Sequence, residues 1–147
     1  MIGEFFKKLT SGEPSETPDA DARLALGALL VRIARSNWDY SDVEIERIEL
    51  ILSRRYGIST DEAANLRHEA EGVESDANDT VQFTRAIKEA VEYEDRDSVI
   101  EVLWELVLAD GVRDHEEEGI LRLVAPLLGI NDRDSALARQ RVEARMT

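Results

Sequence analysis

The chain has 147 residues, 43% hydrophobic and 34% charged, enough for one globular domain with a real core. Its net charge of −14 argues against non-specific nucleic-acid binding, which needs a cationic footprint, and suits a cation or a basic partner. There is no cysteine, which excludes disulfides, thiolate metal sites and cysteine nucleophiles.

In chain order, Ile2, Phe5, Phe6 and Leu9 fall at i, i+3, i+4 and i+7, with Lys7 and Lys8 alongside. This predicts a short amphipathic helix, which a polar linker (TSGEPSETP, 10–18) separates from the rest. Residues 1–18 are thus read as a unit preceding a helical domain that spans 19–147, with the short helix packing on that domain or fraying, and a peripheral membrane or partner contact as the alternative. Asp19–Ser36 reads as a first core helix, apolar nearly all round from Leu24 to Ala34. Ser41–Tyr56 opens with a Ser41-x-x-Glu44 capping box, and Gly57 follows it as a left-handed cap. A second capping box, Ser59-x-x-Glu62, opens a helix to Val73, and Glu74–Asp79 reads as an acidic loop. Thr80–Val91 carries Phe83, Ala86, Ile87 and Ala90 on one face, and Asp95–Ala109 carries two apolar stripes.

Asp114–Leu128 is predicted to turn Ile120, Leu123, Val124 and Leu127 inward. Pro126 should kink or end it, and its Gly119 invites a close helix contact. A last helix, Asp132–Arg145, has only Leu137, Ala138 and Val142 as apolar anchors. No run of period-two strands is evident. The N-terminus has no secretory apolar region with a cleavage site, and the longest charge-free apolar run, Leu24–Val31, is far short of the roughly 20 residues that span a bilayer. A cytoplasmic protein without a membrane-spanning segment is the expectation.

An internal repeat organises these elements. Ala28–Ile58 aligns with Glu101–Ile130: an apolar helix, a short acidic turn, a capped amphipathic helix and Gly-Ile. The two turns are Asn37-Trp38-Asp39-Tyr40 and Asp110-Gly111-Val112-Arg113. The expected architecture is an all-α bundle of about seven to eight helices, with its polar chemistry in the two turns and its two apolar helices packed near a pseudo-twofold axis.

In the second turn Asp110, Asp114, Glu117 and Glu118 offer hard oxygen donors of the kind Ca²⁺ or Mg²⁺ takes, although the EF-hand spacing is absent. The competing reading is helix capping, with Asp114 as the cap and the glutamates on the helix dipole. The first turn is the weaker candidate, with Asn37, Asp39 and Glu44, since Asn37-Trp38 stands where the other copy has Asp-Gly. His68 and His115 are too isolated for a zinc site, and His-Glu-x-x-His is missing. No nucleophile elbow or phosphate loop occurs, so an enzyme is not expected, with a carboxylate hydrolase as the remote alternative. Trp104 lies on a core stripe; Trp38 is either folded over its turn or exposed as a contact residue.

The residues named, notably Phe83-Thr84-Arg85-Ala86-Ile87-Lys88-Glu89, Leu108-Ala109-Asp110-Gly111 and Leu128-Gly129-Ile130-Asn131-Asp132-Arg133-Asp134, carry a whole-chain resemblance to the small stand-alone bacterial branch of the tellurite-resistance TerB-like family. That resemblance implies an all-α fold, a non-catalytic role in tellurite and stress responses, and a link to divalent metal ions through the acidic turns. It also implies a protein partner, membrane-associated partners included, and hence a place peripheral to the inner membrane. A metal-independent scaffold or co-chaperone-like module is the alternative it leaves open.

Overall fold

A computed structural model describes residues 18–109 and 115–146, and these form an all-helical bundle. Seven α-helices are found among them: α1 (Pro18–Arg35), α2 (Asp42–Tyr56), α3 (Thr60–Asp76), α4 (Val81–Ala90), α5 (Arg96–Val107), α6 (His115–Leu127) and α7 (Asp132–Met146). A single 3₁₀ turn, Tyr93–Asp95, leads into α5. The amphipathic segment expected over residues 2–9 and its linker lie outside the described residues, apart from Pro18.

α1 is the centre of the bundle. Ten of its residues are buried, including the unbroken run Ala25–Val31, because helices pack on it from several sides. It lies most closely against α3 and α4, with α2, α5 and α6 around it. α5 is the second apolar helix, with Ile100, Leu103 and Leu106 fully buried. The two apolar helices do touch, but neither is the other's main partner: α5 rests chiefly on α7. The reason is visible at Gly27, where a Cβ would stand 2.8 Å from the Cβ of Ala70. The small pair lets α3 approach α1 closely.

The repeat is legible at the helix ends. Ser41 caps α2 with both halves of its capping box formed with Glu44, and Ser59 does the same for α3 with Glu62. Gly57 and Gly129 take φ of 62° and 81°. The following isoleucine N–H reaches back five residues in both copies, Ile58 to the Ser53 carbonyl and Ile130 to that of Ala125. Both copies thus end in the same Schellman cap.

Four expectations need correction. α3 continues through Glu74, Ser75 and Asp76, so the acidic loop is shorter than expected. The helix persists because Arg32 and Arg35 of α1 hold the Glu74 carboxylate at 3.1 and 2.8 Å. On α6 the inward face is Glu117, Glu118, Leu121, Val124 and Ala125, and Leu123 is exposed. Among the described residues nothing lies near the Cβ position of Gly119, so none of the described helices explains it by a close contact. On α7 Leu137 is exposed, while Ala138 and Val142 are buried as expected. Pro126 does fall in the last turn of α6, which ends one residue later.

Candidate functional site

The first turn follows directly from the end of α1. The Trp38 N–H donates to the Arg35 carbonyl at 3.1 Å, and the Asn37 side-chain oxygen accepts from the Asp39 N–H at 3.0 Å. This compact turn puts Trp38 in the left-handed region, φ 64°, where a side chain normally clashes with its own backbone. Its indole is 97% exposed. Of the two readings of Trp38, the exposed one holds.

Tyr40 closes the turn onto α3. Its hydroxyl donates to Glu71 Oε2 at 2.7 Å, and the Arg35 guanidinium lies 5.1 Å from its ring centroid. Glu71 also accepts from Arg67, which in turn donates to Glu49, both at 2.7 Å. Burial, and then the hydrogen bond to Glu71, push the Tyr40 hydroxyl well above the usual tyrosine range. Burial raises the Glu71 carboxyl as well, but the hydrogen bonds from Tyr40 and Arg67 outweigh it and the net shift is downward. Sequence reasoning missed this network. Its one local sign was Arg67, an arginine standing on the inward stripe of α3 beside Ala63 and Ala70.

The other copy contributes the first turn of α6. Glu117 and Glu118 are 3% and 2% exposed. They occupy the positions that continue the core face of Leu121 and Val124 toward the helix N-terminus. Asn37 Nδ2 donates to Glu117 Oε2 at 3.1 Å, a contact across 80 residues that joins the first turn to the start of α6. Glu118 instead borders a shallow pocket of about 190 Å³, shared with Trp104, Arg122 and Arg139. Trp104 is a packing residue, its indole N–H donating to Ser135 Oγ at 3.1 Å.

The candidate ligands therefore divide. Asn37 and Glu117 come together, with Glu118 next along the helix. Asp39 is exposed, and Glu44 is committed to its capping box, with its carboxylate on the Ser41 N–H at 3.4 Å. Asp110 and Asp114 lie outside the described residues. Among the described residues no group of three or more His, Asp or Glu side chains is arranged to hold a metal ion. Carboxylate and amide oxygens are nonetheless the donor set a hard divalent cation prefers. His68 and His115 are exposed.

No helix among the described residues is long and apolar enough to cross a membrane. No curated protein and no solved structure matches the chain. The family model for tellurite resistance protein TerB matches residues 23–140, which takes in both copies of the repeat and both turns. With most of its length matched and its helices in the expected order, the chain belongs to the TerB family.

Proposed function

We propose that this protein is a non-catalytic binding module of the tellurite and stress-response class, taking a divalent cation of the calcium or magnesium class at the start of α6, beside the first turn. The observation that carries the reading is the pair Glu117 and Glu118, carboxylates set on the core-facing side of a helix, with Asn37 of the other copy 3.1 Å from Glu117. Charge held at such depth is costly in isolation and interacts strongly with an opposite charge brought beside it. Glu117 would hold the ion, with Asn37 positioning its carboxylate through the Nδ2 hydrogen bond and with Glu118, Asp110 and Asp114 supplying further oxygens from the same stretch. Asp39 and Glu44 are not needed. No reaction is assigned, and nothing in the site provides a nucleophile with a base beside it.

Calorimetry on the full chain with Ca²⁺, Mg²⁺, Mn²⁺ and Zn²⁺ tests the reading. Saturable binding of at least one ion is expected, weakened at least tenfold in Glu117→Gln and Asp110→Asn. Full-strength binding by both variants would place the site elsewhere, and no binding by the wild type would leave these carboxylates as helix caps.

A second reading has its own support: an interaction module that needs no metal. The fully exposed Trp38 on a strained, well-braced turn is what such a module would present to a partner protein. Loss of partner capture in Trp38→Ala, with ion binding unchanged, would favour it.

A further inference from the structure

A groove of about 360 Å³ runs between α2, α5 and the end of α7. Its floor includes Ile51 and Val102, and Arg54, Arg55 and Arg145 stand around it. Positive charge is concentrated here on a chain whose net charge is −14. Arg47 and Arg54 both donate to Glu105, Arg141 and Arg145 both donate to Glu101, and Arg55 donates to Ser98 Oγ. Five guanidinium groups thus share two carboxylates and one hydroxyl. Each has N–H donors to spare, because a guanidinium carries five.

The chain enters the described structure beside this groove. The first turn of α1 lies against Tyr56: the Arg23 guanidinium sits 4.7 Å from that ring, and the Asp19 carboxylate is near enough to act on its hydroxyl. Arg55 stands 5.9 Å from the same ring. The residues just before Pro18 include Glu13, Ser15 and Glu16. Extended chain spans up to about 3.5 Å per residue, so Glu16 lies within about 7 Å of Pro18 and Glu13 within about 18 Å.

We propose that residues 1–17 fold back along this groove in the same molecule, with Glu13 and Glu16 on Arg54, Arg55 and Arg145 and with Phe5 and Phe6 over Ile51 and Val102. The acidic linker adds carboxylates to a cluster in which Arg47, Arg54, Arg141 and Arg145 share only Glu101 and Glu105. The apolar stripe of the N-terminal segment then meets the groove's apolar floor and the half-exposed Leu50 at its flank.

The absence of native cysteine makes a direct test simple. Full-length Ser15→Cys carries a single nitroxide label, and the amide spectrum is compared before and after the label is reduced. The amides of Arg55, Ser98 and Val102 should lose most of their intensity in the labelled state. They should recover it when Glu13→Lys and Glu16→Lys are added. A sample mixing labelled, isotopically silent chains with unlabelled, isotopically enriched ones should show no loss. No broadening at these amides, or broadening unchanged by the charge reversals, would overturn the proposal. Broadening in the mixed sample would overturn it in favour of a second copy.

Discussion

Trp38 combines a backbone conformation unfavourable for any side chain with an indole that buries almost nothing. Left-handed φ costs a non-glycine residue roughly 1–2 kcal/mol, and no packing in the described structure offsets it at this position. Trp38→Gly should therefore raise stability by about 1 kcal/mol in chemical denaturation, somewhat less than the strain because glycine loses more entropy on folding. A loss of stability would mean that the indole is packed in solution. Tyr40, two residues on, is the opposite case. Its hydroxyl is bonded, and its ring is covered by Arg35. Tyr40→Phe should cost about 1 kcal/mol, the usual contribution of one hydrogen bond. The sign of the pH dependence follows from Glu71. Its folded-state pKa lies below the ordinary 4.5, so its contribution is whole above that pH and is lost as acid titrates the carboxylate through the lowered value. In Tyr40→Phe that acid-side decline should be shallower. Denaturation midpoints measured from pH 6 downward on both proteins would check it, and parallel curves would count against the Tyr40–Glu71 bond.

At the scale of elements, α6 departs most from its sequence pattern. Reading only apolar residues gives Ile120, Leu123, Val124 and Leu127 as the inward stripe. Val124 is buried and Ile120 packs partly on the core, but Leu123 is exposed and the buried face runs through Glu117, Glu118, Leu121 and Ala125. A hydrophobic pattern cannot register a core face that begins in carboxylates, which is why the rotation was missed. The same limit hid the Tyr40–Glu71 bond, whose partners are 31 residues apart on different helices. Capping chemistry was legible, because it is local. Ser41 with Glu44, Ser59 with Glu62, and both Gly-Ile ends follow from spacing alone, and all four form. Gly119 shows the rule from the other side. It sits exposed inside α6 with open space at its Cβ position. Gly119→Ala should therefore stabilise the fold by about 1 kcal/mol in urea denaturation, since nothing offsets glycine's helix penalty there. Destabilisation would reveal a contact made by the neighbouring residues 110–114.

For the whole molecule, the duplication explains where charge collects. Each copy alone is a helix, a turn and a helix with one apolar helix half uncovered. Joining them brings Asn37 of one turn onto Glu117 of the other helix and leaves carboxylates where the copies meet. Between α2, α5 and α7 the arginines gather around Glu101 and Glu105.

Gly27 sets the spacing between the two helices on which the Trp38 turn depends. α1 leads into that turn, and α3 carries Glu71, the residue next to Ala70, which anchors it through Tyr40. The seam at Gly27 and Ala70 thus acts as a spacer gauge about a dozen residues upstream of the turn. Gly27→Ala would bring two methyl carbons to 2.8 Å, so α3 must shift outward. The fold should lose about 1–3 kcal/mol, the usual cost of overpacking. The more telling readout is the Tyr40–Glu71 distance, followed through the acid dependence of stability. A buried methyl group near the middle of α1 should mimic Tyr40→Phe at the surface, and an unchanged acid dependence would show that the turn stands independently of the seam.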